Sequence, residues 1–242
     1  YKLDISDYFN SIDVALLLPE LDNVLEDDRY LFAFLSSILK EPGVISNDEV
    51  IYENKGIMAG TPVACFYANL FLKDLDKHFK DNNIPYARYS DDIIVFAKSE
   101  EELNTREHYI KEFLISKGLK INKDKEYKTR PGEEWTFLGF KCNGDTVDIA
   151  DATVTKLKGK MRRKARALIR WSERNEVSSD KAAKAFIRIF NCKLLDVSDD
   201  RDLTWSYWFF PVINTTKSLH KIDLYAQDCI RYLISGKHTK SR

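Results

Sequence analysis

No stretch of the sequence approaches the roughly 18 uninterrupted apolar residues that span a bilayer, and no basic segment leading into an apolar run opens it. We therefore expect no membrane and a cytoplasmic protein. Cysteine is sparse: Cys65, Cys142, Cys192 and Cys229 stand 77, 50 and 37 residues apart. That spacing offers neither a paired metal motif nor a small disulfide frame, so the four read as reduced thiols. Internal repeats and low-complexity linkers are also lacking. Formal net charge is zero, which at first sight excludes a polyanion-binding surface.

What is present changes that impression. The 242 residues, 44% hydrophobic and 31% charged, have the length and composition of a globular protein with a real core. The zero balance is made of opposites. Residues 1–28 hold eight acids (Asp4, Asp7, Asp13, Glu20, Asp22, Glu26, Asp27, Asp28) against Lys2 alone. Between Lys156 and Arg174 there are nine bases against Glu173 alone. An acidic end suits cations and a basic segment suits polyanions, although either could also be a solvated helix face. The sequence starts in a strand-like Tyr1-Lys2-Leu3-Asp4-Ile5 without Met and stops in a polar, basic tail from Ser235 to Arg242. We expect a piece of a longer protein.

Periodicity sketches the elements. Residues 1–5 alternate as a strand; Ile12 to Leu39 has helical spacing broken at Pro19. A glycine-punctuated segment, Gly56 to Pro62, precedes a helix reaching about Asn82, with Thr61 as its cap and Pro62 at its first position. Tyr86–Tyr89 and Ile93–Ala97 read as a hairpin turning at Ser90-Asp91. Ser99 and Glu102 form a capping-box pattern for a helix ending at Gly118. Strand-like runs follow at Leu119–Ile121, Trp135–Phe140 and Thr146–Ile149. After Asp151 only helices are expected: a stripe of Leu157, Met161, Ala165 and Leu168 beside the bases, then Lys181–Phe190 and Leu219–Leu233. The fold class is α+β followed by a small all-helical part.

Asp91 and Asp92 sit at a hairpin tip followed by five apolar residues. Adjacent carboxylates repel, and keeping both ionised there calls for a cation; an Asp pair can also serve turn chemistry alone. Asp4 ends another strand-like run, and a sheet could bring it to the tip. Three such carboxylates supply hard oxygen ligands for Mg²⁺ and the layout of a two-metal phosphoryl transfer.

Five motifs in order carry a resemblance: Lys2-Leu3-Asp4-Ile5-Ser6-Asp7-Tyr8-Phe9-Asn10-Ser11-Ile12; Gly56-Ile57-x-x-Gly60-Thr61-Pro62 with Ala68-Asn69; Tyr89-Ser90-Asp91-Asp92; Gly118-Leu119-Lys120-Ile121-x-x-x-Lys125; and Phe137-Leu138-Gly139-Phe140. Over about residues 1–140 the chain resembles the reverse transcriptase palm, most closely that of bacterial group II intron and retron enzymes. The resemblance implies an antiparallel palm sheet with flanking helices over residues 1–150 and a helical thumb over 151–242. It implies Asp4, the Ile5 carbonyl, Asp91 and Asp92 as ligands of two Mg²⁺ ions, with Mn²⁺ as a substitute. Phe9 would lie under the incoming sugar and exclude a ribose 2′-OH. Gly60, Thr61 and Pro62 would approach nucleotide and template, Lys125 the triphosphate, and Phe137 to Phe140 the primer end.

There are departures. Family members usually carry Gln at the position of Ala59, Ser at Ala64 and Pro at Cys65, and the fingers that precede the palm are not in this sequence. In the thumb-like segment Lys158, Arg162 and Arg166 recur every four residues, a row that could follow phosphates. Trp171, Trp205, Tyr207 and Trp208 could stack on bases but fit core packing better. The expected function is RNA-directed DNA polymerisation, extending a DNA or RNA primer on an RNA template with dNTPs, the isolated chain being weak or inactive. The alternative is a catalytically weak RNA-binding module, an intron maturase or phage-defence protein. RNA-templated RNA polymerases and nucleotide cyclases are a third class, which Phe9 and Tyr89–Asp92 argue against. Oligomeric state is not legible.

Overall fold

The computed structural model describes residues 1–41, 43–46, 49–52, 56–195 and 204–238. Residues 239–242 of the polar tail lie outside the described residues. The chain divides into two compact units, Tyr1–Lys128 and Thr129–Arg242.

In the first unit, β1 (Lys2–Asp4) pairs antiparallel with β5 (Asp92–Val95), which pairs antiparallel with β4 (Tyr86–Tyr89), so β5 is central. Its Ile93, Ile94 and Val95 are buried, as a strand covered on both faces requires. Between β1 and β4 come α1 (Tyr8–Ser11), α2 (Val14–Val24), α3 (Arg29–Lys40), a hairpin of β2 (Gly43–Ser46) and β3 (Glu49–Tyr52), then α4 (Ala64–Phe71) and α5 (Lys73–Asp81). After β5 follow α6 (Glu100–Ser116) and a 3₁₀ turn, Lys123–Lys125. Leu3, Ile5, Leu17, Leu21, Tyr67, Phe71, Leu75, Phe79, Ile110 and Leu114 close one core between sheet and helices.

Three local expectations are corrected. Pro19 lies inside α2 and does not end it. At the middle of α2 the proline forfeits one backbone bond without ending the helix, and the true interruption is at residues 25–28, where the Asp28 carboxylate caps α3 through Leu31 N. Thr61 and Pro62 do not open a helix: α4 starts at Ala64, and the Thr61 hydroxyl donates instead to the Met58 carbonyl. Leu119–Ile121 forms one isolated bridge, Ile5 to Ile121, in place of a strand. The cap of α6 follows the sequence pattern: Ser99 Oγ accepts from Glu102 N at 3.2 Å.

The second unit begins with an antiparallel sheet of β6 (Trp135–Phe137), β7 (Phe140–Asn143) and β8 (Thr146–Ile149). Helices α7 (Asp151–Arg174), α8 (Ser179–Leu195), α9 (Trp205–Trp208) and α10 (Lys217–Ser235) follow. Val154, Leu157, Met161, Ala165 and Leu168 of α7 recur at three and four residues and are buried against α8 and α10. The change from mixed to helical structure falls near residue 150, but the compact units meet at 128/129. The small sheet belongs with the helices because Asn214 binds it at three points, to the Val147 amide and carbonyl and the Asp145 carbonyl. Ile149 also joins the helical core. Trp205 is buried and Trp208 partly so, while Trp171 and Tyr207 are exposed. Among the described residues no helix is long and apolar enough to cross a membrane.

Candidate active site

Strand pairing brings the acidic residues together. In the β1–β5 ladder Asp4 lies directly opposite Asp92, and the Ile5 amide donates to the Asp91 carbonyl at 3.2 Å. Asp91 shares the tight β4–β5 turn with Ser90, which adopts a left-handed φ of 57°. The segment after α6 runs along the other edge of β1. Ser6 N donates to Lys120 O at 2.8 Å, and Asn122 N to Asp4 O at 2.9 Å. This delivers two side chains to Asp4, itself only 5% exposed. Lys125 Nζ donates to Oδ2 at 2.8 Å and Asn122 Nδ2 to Oδ1 at 3.3 Å. Lys2 Nζ lies 3.6 Å from Asp92 Oδ1.

These charges shift one another. Partial burial pushes the Asp91 carboxyl above its ordinary range and the negative charges of Asp4 and Asp92 push it further, against a backbone hydrogen bond and the opposing charge of Lys125. Lys125 is held protonated above the usual lysine range, chiefly by its hydrogen bond to Asp4.

Among the described residues no three His, Cys, Asp or Glu side chains form a group that could hold a metal ion. The donor set nevertheless fits Mg²⁺, which takes one or two carboxylates and leaves its other positions to water and substrate phosphates. Asp4, Asp91, Asp92 and the Ile5 carbonyl are hard oxygen donors. Burial first, and then the negative field of Asp4 and Asp92, disfavour an ionised Asp91 more than Lys125 favours it, a cost that a divalent cation would relieve.

Phe9 packs partly buried on the core, and its carbonyl accepts from Ile57 N at 2.8 Å. The glycine-punctuated segment is thereby docked on α1. A side chain at Gly60 would meet nothing within 4 Å; Thr61 is half-buried and Pro62 exposed. Among the described residues no hydrogen bond or ion pair links Phe9, Gly60, Thr61 or Pro62 to the carboxylates. Phe137 to Phe140 belong to the second unit, where Leu138 and Gly139 make the positive-φ turn joining β6 and β7. The ring of Phe140 lies 5.1 Å from that of Phe209. On α7, Arg162 and Arg166 are exposed, whereas Lys158 is half-buried with Nζ 5.4 Å from the Tyr225 ring centre.

Sequence reasoning missed Arg88. Its side chain is 5% exposed and grips Asp76 of α5 through two hydrogen bonds, Nε to Oδ1 at 2.9 Å and Nη2 to Oδ2. Nη1 reaches Asn69 Oδ1 at 3.2 Å and the Ser90 carbonyl at 3.1 Å. The Tyr86 hydroxyl donates to the same Asp76 at 2.9 Å. A signal existed: Tyr86 and Arg88 share the less exposed phase of β4, and an inward arginine demands an acidic partner. Asn122 carried no such signal.

Comparison with known proteins follows the same line. In three dimensions the chain is similar to apo telomerase from Candida tropicalis truncated from its C-terminal domain, with a TM-score of 0.50 at 14% identity. The match covers 62% of this chain and 35% of that one, a likeness of fold. No curated protein matches the sequence. The reverse transcriptase (RNA-dependent DNA polymerase) family model matches residues 1–142. With that match over more than half its length, the chain belongs to the reverse transcriptase family.

Proposed function

We propose that the chain is the palm (1–150) and thumb (151–242) of an RNA-directed DNA polymerase of the bacterial group II intron or retron type. The observation that carries this reading is the register that sets Asp4 opposite Asp92 and bonds Ile5 to Asp91, with Lys125 alongside. Asp4, the Ile5 carbonyl and Asp91 would hold the divalent ions, with Asp92 beside them. Mg²⁺ held by these groups would supply Lewis-acid activation of the primer 3′-oxygen and charge neutralisation at the transferring and leaving phosphates.

The chain's own groups do the rest. Lys125 is protonated and its side chain is 59% exposed; from Asp4 it can turn to the triphosphate, where Nζ would donate to the departing pyrophosphate. Phe9 would sit under the sugar and reject a 2′-OH by contact. Gly60, Thr61 and Pro62 would flank nucleotide and template. The Phe137–Phe140 hairpin would set the primer end, and Lys158, Arg162 and Arg166 would follow the phosphates.

The test is primer extension on an RNA template with Mg²⁺ and dNTPs, comparing the protein with its Asp91→Ala variant. Extension should fall by at least about 10³-fold in the variant. A folded protein that binds RNA yet extends no primer would replace this reading with an RNA-binding module. That second reading is favoured by the row of α7 bases, which needs no catalysis to grip a polyanion.

A further inference from the structure

Asp91 works only if its turn is held, and the turn's own residues hold it poorly. Ser90 adopts φ 57°, a conformation with a cost for any side chain. Its hydroxyl is buried and finds no hydrogen-bond partner among the described residues. Beyond the flanking ladder and the Ile5 amide on the Asp91 carbonyl, the turn is held from outside by Arg88, which donates to the Ser90 carbonyl. Arg88 belongs to β4, and its side chain is anchored outside the sheet, to Asp76 on α5 and to Asn69 on α4. Burial opposes the charge on this guanidinium, but Asp76 offsets it, so the cation stays fixed in place.

From this geometry we infer that Arg88 is a positioning residue for metal binding. Clamped to α4 and α5, it fixes the Ser90 carbonyl and through it the direction in which Asp91 presents its carboxylate. Its planar fork matters as much as its charge: two nitrogens engage Asp76 while the third reaches the turn, which a lysine cannot reproduce. The inference rests on the reading of Asp91 as a metal ligand.

The experiment is a Mn²⁺ titration followed by electron paramagnetic resonance, without nucleotide or primer, on the protein and on Arg88→Lys, Tyr86→Phe and Asp91→Asn, with unfolding midpoints in parallel. Loss of a group that orients a metal ligand weakens affinity about ten-fold or more, and that is the result expected for Arg88→Lys. Tyr86→Phe takes another hydrogen bond from Asp76 and leaves the turn contact in place. It should lower the midpoint while keeping the Mn²⁺ affinity unchanged. A purely structural role for Arg88 predicts that the two variants behave alike, and equal Mn²⁺ affinity in both would overturn the inference. If Asp91→Asn itself leaves Mn²⁺ binding unchanged, it is the metal-site reading that fails. Should Arg88→Lys not fold, Asn69→Ala carries the test, since it removes the other acceptor of Nη1. A reproducible loss of Mn²⁺ affinity, smaller than that expected of Arg88→Lys, supports the positioning role, and no loss refutes it.

Discussion

Beside the carboxylates of the first unit three cations each have an anionic counterpart: Lys125 meets Asp4, Lys2 meets Asp92 and Arg88 meets Asp76. Along α7 in the second unit, Lys156, Lys160, Arg162, Arg163, Lys164, Arg166, Arg170 and Arg174 form no ion pair among the described residues. Both regions are rich in charge, yet folding compensates one and leaves the other to salt or to a polyanion. Paired charges fix geometry, because moving either partner strands the other. A row of like charges fixes nothing in its own fold, and its use lies in what it attracts. The zero net charge of the chain is therefore the sum of a precise site and a diffuse one.

The same contrast holds for the backbone and gives the largest expected effect. At Gly56 (φ 63°) an added Cβ would lie 2.2 Å from Phe9 O and 2.4 Å from Asn10 Cα, backbone that cannot step aside. At Gly139 (φ 85°) it would meet Thr153 Oγ1 at 3.2 Å and the Phe209 ring at 3.3 Å, side chains that can yield by tenths of an ångström. Gly56→Ala should cost about 3 kcal/mol or more, combining backbone overlap with left-handed strain, and Gly139→Ala about 1–2 kcal/mol, mostly strain. Urea unfolding of both variants would settle it. Equal losses would mean that α1 can move away from the loop, and that Phe9 is less firmly placed than its bond to Ile57 suggests.

How far the sequence announced this architecture follows the same division. Alternation and turn chemistry located β4, β5 and the Ser90-Asp91 turn, and heptad-like spacing located the buried stripe of α7, because each signal is local. The segment after α6 eluded such reading: residues 119–121 look like a strand but make one bridge, their place being set by bonds to Asp4 and Ser6 more than a hundred residues away. Arg88 shows the same limit. Its inward phase was visible, but its partners lie on two helices whose approach is a matter of tertiary packing. The Thr61-Pro62 start for α4 failed because a turn closed by Met58 competed with it, and local propensity does not rank the two.

The diffuse region predicts a smaller and graded response. Replacing Arg162 and Arg166 by Gln should weaken binding of an RNA–DNA duplex about ten-fold at moderate salt and make the salt dependence shallower by nearly two units of slope. No single substitution should abolish binding, because the other bases of α7 remain. A loss confined to one sequence, or a salt slope that does not change, would turn α7 from a phosphate-following row into something more specific.

The smallest effect tests the sign of compensation in each unit. Asp91 has its carboxyl raised above the ordinary range by burial and by Asp4 and Asp92, so between its unfolded value and its folded one the native chain holds the extra proton. Stability then falls as pH rises through that window, and at neutral pH the ionised carboxylate is a net cost in the metal-free protein. Asp151, at the first turn of α7, is held below its ordinary range mainly by its hydrogen bond to Lys141, at 2.8 Å. Its contribution is present above the unfolded value and lost as pH falls through the folded one, and at this exposed position it is small. Asp91→Asn should therefore raise the unfolding midpoint slightly at pH 7 in a chelator, and the gain should shrink as pH is lowered toward 4. Asp151→Asn should lower the midpoint slightly, and that loss should persist over the same range. If Asp91→Asn instead destabilised the metal-free protein, Lys125 and Lys2 would be compensating the carboxylates fully, and the field assigned to a divalent cation would already be spent.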